Sequence, residues 1–200
     1  MDSKQQFYDL YRTHVTRSGA EELLHFLEHR SDFFAAPAST RFHLACEGGL
    51  LAHSVNVALE LLKFNDEPPD SAVICGLLHD ICKVNYYKTS TRNVKNEKAG
   101  QWEKQAFYQI EDSFPYGHGE KSVFMIERFF QLKASEAMAI RWHMGGFDEA
   151  VKGGSFSISR AYEKYPLAVK LHIADISATY LVENAPVAVA TGNQPKEEES

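Results

Sequence analysis

The sequence has little that would tie it to a membrane, a secretory route or a nucleic acid. It contains no apolar run long enough to span a bilayer, and its first residues lack the basic-then-apolar pattern of a signal peptide. Three cysteines in 200 residues, without zinc-type spacing, favour a reducing compartment. The formal net charge of −6 argues against non-specific nucleic-acid binding by the whole surface. We therefore expect a cytoplasmic protein with no membrane partner.

The chain has no internal repeat, and its composition is that of an ordinary globular protein. Its length suits one domain, which we place at residues 1–183. Apolar residues at helical spacing predict a mostly α fold that begins with helices within residues 1–36. Asp70 or Ser71 is the expected N-cap of one later helix, and Pro166 suits the first turn of the last. These later helices are predicted over 50–63, 71–83, 121–130, 134–143 and 166–182.

Residues 84–110 have a different pattern from the helical segments. Aromatic and β-branched residues are concentrated on both sides of turn-forming residues 96–100. This pattern predicts a β-hairpin inserted into the helical domain. An irregular connector is expected over 31–47, and residues 184–200, which lack periodicity, are predicted to form a disordered tail.

The most informative residues are the adjacent pair His79 and Asp80, which end the apolar run 71–78. A polar pair at the end of a buried segment costs free energy unless a partner compensates it. Two adjacent side chains at a helix end can turn toward one metal ion, with the carboxylate free to bridge to a second. The pair therefore points to a metal site.

Other candidate ligands lie far apart in the sequence. His53 and Asp175 are each flanked by apolar residues at helical spacing, so both should face inward. Taken singly, His53 is more often a hydrogen-bonded core histidine than a ligand, and an ion pair with a buried Arg or Lys is the favoured interpretation of Asp175. His118 lies between glycines in a loop and His143 ends a helix, and each alone would be structural or exposed.

As a set, these residues give four imidazoles and two carboxylates. Such a mixture of nitrogen and oxygen donors suits Mn, Fe, Co, Ni or Zn better than Ca or Mg. The cysteines are not expected to contribute. Cys82 follows Asp80 by two helical positions and should face another way, and Cys75 is more simply a core residue.

The order of these residues resembles the HD-domain superfamily of metal-dependent phosphohydrolases. The stretch 79–83, His-Asp-Ile-Cys-Lys, is close to that family's His-Asp-x-Gly-Lys pattern, with Cys82 in place of the glycine. The stretch 47–54, Glu-Gly-Gly-Leu-Leu-Ala-His-Ser, is similar to the family's approach to its first ligand. The resemblance covers roughly residues 37–182, the size of one domain, and implies an HD-type helical bundle that carries the hairpin.

The resemblance also implies the ligands and the catalytic residues. In that family four residues bind a first metal, and members with two metals add two histidines before the last aspartate. Asp80 would then bridge the two ions. Asp80 and Lys83 are the implied catalytic residues, although without the family Lys83 is equally a solvated lysine at a helix end. The residues that match the ligand set are His53, His79, Asp80, His118, His143 and Asp175.

The reaction implied by the resemblance is hydrolysis of a phosphate ester by a metal-activated hydroxide. The expected substrate is a nucleotide or a related small anionic molecule. Six basic and two acidic residues lie between 83 and 104, so the hairpin could attract an anion, although packing and solubility explain the same residues at least as simply. The predicted substrate contacts are Lys83, Arg92, Lys121 and Arg141, with Arg41 and His43 as weaker candidates.

Three alternatives stay open at this point. Some two-metal HD proteins resemble this ligand set and use mixed-valent di-iron for oxygen-dependent C–H cleavage. The segment 37–53 also looks like the HD domain of bacterial 3′→5′ exoribonucleases, so a nuclease working with a partner that brings the nucleic acid is a second alternative. The third is a binding module without catalysis, which retention of all six candidate ligands disfavours.

Overall fold

The structure, a computed structural model, describes residues 2–41, 43–96 and 100–183, and most of them are helical, as predicted. The first four helices are α1 (Ser3–His14), α2 (Ala20–His29), α3 (Gly49–Leu62) and α4 (Pro69–Leu78). The strands β1 (Tyr87–Asn96) and β2 (Gln101–Ile110) follow. The later helices are α5 (His118–Glu127), α6 (Ala134–Trp142), α7 (Glu149–Lys152), α8 (Ser157–Lys164) and α9 (Pro166–Ser177).

Helix α4 is the central helix because its sequence is apolar on every side. Residues 71–78 are all buried, as expected for a helix that is hydrophobic all round. Gly76 allows α4 to approach α3 closely, since a Cβ atom there would lie 2.3 Å from the Cα of Ala58. Helix α9 packs against α3, α4 and α6. This packing brings the end of α4, with its polar pair, against α3 and α9.

Both ends of α4 differ from the prediction. The helix begins at Pro69, which is tolerated in a first turn, and no side chain among the described residues caps it. The expected caps, Asp70 and Ser71, instead make hydrogen bonds at the start of α6, at 3.0 and 2.6 Å. The helix ends at Leu78 rather than near residue 83, and a 3₁₀ turn, Ile81–Lys83, packs against α5.

The predicted β-hairpin is present. Strands β1 and β2 pair antiparallel, with Tyr87 opposite Ile110 at the base. Residues 91–95 and 101–104, in its outer half, are exposed, and Trp102 is 69% exposed. The tip at 97–99 and the predicted tail at 184–200 lie outside the described residues.

The C-terminal third confirms one predicted boundary and adds two helices that were not predicted. Helix α9 starts at Pro166 as expected, and a π-helical turn, Ala178–Val182, continues it. The short helices α7 and α8 precede it, in a segment where no helix was predicted. Among the described residues, no helix is both long enough and apolar enough to cross a bilayer.

An ion pair between a partly exposed arginine and a buried glutamate joins the N-terminal helices to the rest of the protein. Arg17, between α1 and α2, donates to both oxygens of Glu136 in α6, at 2.6 and 2.5 Å. The Ser71 hydroxyl and the Lys133 N–H donate to the same carboxylate. Burial by itself raises the pKa of Glu136, but these bonds outweigh burial and lower the pKa, so the carboxylate stays charged.

Candidate metal centre

The six predicted ligands come from five helices and meet in one place. They are His53 in α3, His79 and Asp80 directly after α4, His118 at the start of α5, His143 directly after α6, and Asp175 in α9. Their ligand atoms form overlapping groups whose members lie within 4.8 Å of one another. The packing that forms the core therefore also assembles this cluster.

Asp80 lies at the centre of the cluster, and its two oxygens face different histidines. Oδ2 is 3.7 Å from Nε2 of His53 and 3.5 Å from Nε2 of His79. Oδ1 is 2.8 Å from Nε2 of His118 and 3.5 Å from Nε2 of His143. We call His53 and His79, which face Oδ2, the inner pair, and His118 and His143, which face Oδ1, the outer pair. His118 is 31% exposed, whereas the other three histidines are buried. Asp80 thus lies between two nitrogen pairs, where a bridging carboxylate would lie.

Two of the histidines are oriented by their own helices. Nδ1 of His79 is 2.9 Å from the carbonyl oxygen of Gly76, and Nδ1 of His143 is 2.7 Å from that of Ile140. Each acceptor lies three residues earlier, at the C-terminal end of the same helix, where carbonyls lack helical partners. An N–H at Nδ1 leaves the lone pair of Nε2 free and directed into the cluster, which is the tautomer a metal-binding histidine needs.

The other two histidines are oriented by side chains. Nδ1 of His53 is 3.0 Å from a carboxylate oxygen of Glu183, which also accepts from the Asn56 side chain at 3.0 Å. The His118 ring contacts Sγ of Cys82, 3.3 Å from Nδ1 and 3.9 Å from Nε2, and its Nε2 lies 2.8 Å from Oδ1 of Asp80. Three of the four imidazoles therefore have an oxygen partner at Nδ1, and all four direct Nε2 toward the centre.

Burial and charge shift the histidines in opposite directions. Burial by itself lowers the pKa of His53, but hydrogen bonds with two carboxylates outweigh it and raise the pKa to about 9. Burial by itself also lowers the pKa of His118, but the nearby Cys82 and Asp80 outweigh burial and raise the pKa to about 10. Burial dominates at His79 and lowers its pKa to about 3. Without metal, protons on the first two imidazoles therefore balance part of the carboxylate charge.

The carboxylates of the cluster stay ionised. Burial by itself raises the pKa of Asp80, but Lys83 and the histidines outweigh it and hold the pKa well below its usual range. Asp175 behaves in the same way because its Oδ1 lies 3.3 Å from Nε2 of His53. The partner of Asp175 is thus a histidine rather than a buried Arg or Lys.

The donor set fits a divalent transition metal. Nε2 of His143 is buried and has no hydrogen-bond partner among the described residues. Leaving such an atom unsatisfied costs about 1–3 kcal/mol, so a protein rarely retains one without a ligand for it. Nε2 of His53 and Nε2 of His79 lie only 3.3 Å apart, so two ring nitrogens converge on one point. Imidazole and carboxylate donors together suit Mn, Fe, Co, Ni or Zn.

Glu183 was not predicted from the sequence, and no signal there identifies it. It lies 130 positions after His53, beyond the last periodic helical residue. The π-helical turn after α9 brings its side chain back to α3, where only 1% of it is exposed. His172 was also missed; its Nδ1 is 2.6 Å from the carbonyl oxygen of His143.

The prediction that Cys82 faces away from the cluster was wrong. It assumed that α4 continued past Asp80, so that residues two apart would point in different directions. Because the helix ends earlier and a 3₁₀ turn follows, Cys82 faces α5 and its Sγ contacts His118. Cys82, Asp80 and His118 form one of the groups whose ligand atoms lie within 4.8 Å. Cys75 is a fully buried core residue, as expected.

Two cavities open beside the cluster. The larger, of 730 Å³, lies on the side of the inner pair, and the smaller, of 580 Å³, on the side of the outer pair. Lys83 borders both cavities. The larger is also lined by Arg41, Phe147, Lys152, Ile176 and Tyr180, and the smaller by Cys82, Tyr86, His118, Lys121 and Glu149.

The structure brings only some of the predicted substrate contacts to these cavities. Lys83 and Lys121 line them, and Lys121 is paired with Asp112 at 2.7 Å. Arg141 is paired with Glu120 and Asp148 and stacks on Trp142. Arg92 lies on the exposed hairpin, over the Phe107 ring. Neither arginine is among the described residues that line the two cavities.

Residues 50–179, well over half of the chain, match the model of the HD domain family. This span contains all six predicted ligands, and the family belongs to a superfamily of metal-dependent phosphohydrolase type whose members bind divalent metals. No curated protein and no solved structure gave a significant match. The order of the ligands, the helical fold and the family match agree, and the chain belongs to the HD domain family.

Proposed function

We propose that the protein is a phosphohydrolase that uses one or two divalent transition metals to cleave a phosphate ester of a nucleotide or a related small anionic molecule. The observation that carries the proposal is the position of the Asp80 carboxylate. Each of its two oxygens faces a different pair of imidazole Nε2 atoms. A carboxylate between two nitrogen pairs is what hydrolysis at two metals needs.

Different ligands would hold the two ions. The inner pair, Asp175 and Oδ2 of Asp80 would hold one ion, and the outer pair and Oδ1 of Asp80 would hold the other. Divalent metal at such a site supplies a nucleophile at neutral pH and Lewis acidity toward a phosphoryl oxygen. The Nδ1 partners keep the imidazoles aligned, so that little reorganisation is needed when substrate binds.

The hydrogen bonds and charge of Lys83 support a direct role for this residue in phosphate binding. Its Nζ donates to Oδ2 of Asp80 at 2.6 Å and to the carbonyl of Ala38 at 2.8 Å. An ammonium group has three donors, so a third can reach a phosphate oxygen in either cavity. Burial by itself lowers the pKa of Lys83, but Asp80 outweighs it and raises the pKa, so the side chain stays cationic. We propose that this charge stabilises the phosphoryl oxygens during cleavage.

The larger cavity supports a nucleotide-sized substrate. Its volume of 730 Å³ lies in the range typical of small-molecule sites, roughly 300–1,000 Å³. Arg41 and Lys152 in its lining give it cationic groups near the cluster. Phe147 and Tyr180 are well exposed at its walls and offer faces for a base. We also propose a cytoplasmic setting, which the free state of all three cysteines supports.

The test is a hydrolysis screen on protein purified without chelator and reconstituted separately with Mn, Fe, Co, Ni and Zn. Nucleotides and phosphodiesters are the substrates, and phosphate or alcohol release is measured beside metal content. The wild type should bind near two ions per chain and hydrolyse at least one class. Asp80→Asn should lose both properties. Glu163→Gln, which changes an exposed acid on α8 that lines neither cavity, is the matched control and should retain them.

Three outcomes would contradict the proposal. Protein that retains no metal after reconstitution with any of the five ions cannot work by this mechanism. Iron-loaded protein that consumes oxygen but releases no phosphate would support the di-iron oxygenase instead. Cleavage restricted to oligonucleotides would replace the small substrate with a nucleic acid.

A further inference from the structure

We propose that the substrate is a phosphodiester that joins two organic groups, one for each of the two cavities beside the metal centre. The proposal rests on the proposed function, because it names the class of phosphate ester that the same site takes. The group in the larger cavity carries a base. The group in the smaller cavity is uncharged and carries hydroxyl or amino groups, as a nucleoside does.

The two cavities are parts of one groove that runs past the metal centre. Four residues line both of them: Lys83, Met144, Phe147 and Lys152. Beyond this shared stretch, the larger cavity extends to His53 and Asp175, and the smaller cavity extends to His118. The cluster therefore lies where the two cavities meet, and a phosphate bound there has open space on two sides.

Lys83 marks the place of that phosphate. Its Nζ donates to Oδ2 of Asp80 at 2.6 Å, and the residue borders both cavities. A phosphate beside this ammonium group can direct an ester substituent into either cavity. A monoester has one substituent and leaves the other cavity to water. A diester fills both, and the second group adds binding free energy through the apolar area that it buries.

The charges of the smaller cavity disfavour a second phosphate there. Beyond the shared stretch, its described lining has one lysine and four carboxylates. The lysine, Lys121, is paired with Asp112 at 2.7 Å, and two of the other carboxylates pair with Arg141. The fourth, Glu149, is exposed and has no ion pair among the described residues. The tail of a nucleoside polyphosphate would bring like charges together at this end of the groove.

The same lining suits an uncharged group that donates hydrogen bonds. Glu149 offers carboxylate oxygens, which are strong acceptors for hydroxyl and amino groups. Tyr86, which is half-buried, and Pro115 provide apolar walls. The volume of 580 Å³ lies in the range typical of small-molecule sites, roughly 300–1,000 Å³. A sugar with an attached base has both the donors and the flat apolar face that these residues would contact.

The reaction of such a diester is hydrolysis of one P–O bond. The oxygen of water forms a bond to phosphorus, and the bond to the leaving alcohol oxygen breaks. One proton of the water goes to the leaving oxygen, and the other passes to solvent as the product ionises to a monoester dianion. The products are one nucleoside and one nucleoside monophosphate, and water is the only other reactant.

The experiment compares a dinucleoside monophosphate with a nucleoside monophosphate of the same base, both offered to the metal-reconstituted full-length protein. Nucleoside release is measured by chromatography. We expect kcat/KM to be at least about tenfold higher for the dinucleotide. Tyr86→Ala and Glu149→Gln should each lower kcat/KM at least about fivefold more for the dinucleotide than for the mononucleotide. Glu163→Gln, on α8 away from both cavities, should change neither, and circular dichroism confirms the fold of each variant.

A charge reversal tests which group lies in which cavity. Two dinucleotides are assayed, with an extra phosphate at one end or at the other. The one that places its extra phosphate in the smaller cavity should be hydrolysed at least about tenfold less efficiently than the parent dinucleotide. Glu149→Lys should recover part of that loss. Wild type that tolerates the extra phosphate equally at both ends would overturn the assignment of an uncharged group to the smaller cavity.

The inference and the proposed function fail in different ways. A mononucleotide hydrolysed as efficiently as the dinucleotide overturns the inference and leaves the proposed function in place. If neither is hydrolysed, the proposed reaction is contradicted, and calorimetry with a dinucleotide whose leaving oxygen is replaced by a methylene group tests the inference. Binding at least about tenfold tighter than that of the mononucleotide, lost in Tyr86→Ala, supports the two-group site. Equal binding overturns it.

Discussion

Replacing Glu183 tests whether this carboxylate, 130 positions from His53 in the sequence, determines the affinity of the inner pair for a metal ion. One oxygen of Glu183 accepts from both Nδ1 of His53 and the amide of Asn56, each at 3.0 Å. Glu183→Gln can keep that oxygen in place and removes only the charge. Glu183→Ala removes the oxygen as well. The two variants therefore separate the charge from the hydrogen bonds.

The expected magnitudes follow from those contacts. Partners behind a metal-bound histidine are typically worth 10–100-fold in metal affinity, so we expect about tenfold weaker binding of the first ion in Glu183→Gln. In Glu183→Ala both the His53 N–H and the Asn56 amide lose their acceptor, and we expect about a 100-fold loss. Leaving these buried donors unpaired should also lower the free energy of unfolding by about 1–3 kcal/mol.

The assay is competition for the first equivalent of metal against a coloured chelator, with circular dichroism to confirm folding. Glu163→Gln, an exposed acid on α8, is the matched control and should bind like wild type. The second ion should bind with nearly unchanged affinity in both Glu183 variants, because Glu183 contacts the inner pair. First-ion affinities within twofold of wild type in both variants would refute the reasoning.

Three further predictions concern other parts of the molecule. Arg17→Ala leaves the Glu136 carboxylate buried without its guanidinium and should lower the free energy of unfolding in urea by about 3–5 kcal/mol, whereas a loss below about 1 kcal/mol would show that the pair is dispensable. Because the pKa values of His53 and His118 lie at about 9 and 10, both imidazoles are protonated at pH 7 without metal and must lose those protons when Nε2 binds. Metal affinity should therefore rise with pH below 9, by up to about tenfold per pH unit for each proton displaced, and calorimetry in buffers of different ionisation enthalpy should detect proton release. Gly76→Ala places a Cβ 2.3 Å from a Cα of α3, so it should lower the melting temperature and weaken metal binding. An unchanged melting temperature and metal affinity would mean that α3 and α4 can move apart without cost.

Much of the fold could be predicted because the local signals were strong. Apolar residues at helical spacing predicted α3 and α9, and Pro166 marked the start of α9. Aromatic and β-branched residues on either side of a turn predicted the hairpin. Helix α7 has only four residues, too few to show a helical period, and the eight-residue α8 was missed although Ile158, Ala161 and Tyr162 lie at helical spacing in it.

The sequence by itself determined which donors are available, since four histidines and two aspartates at helix ends and inward helix faces were visible without coordinates. Only the tertiary structure decided how they are held. The early end of α4 turned Cys82 toward His118, and the π-helical turn after α9 returned Glu183 to His53. The physical reason is that residue type and periodicity report the chemistry and the buried face of each helix. Contacts across 36 or 130 positions depend instead on where helices end and how they pack.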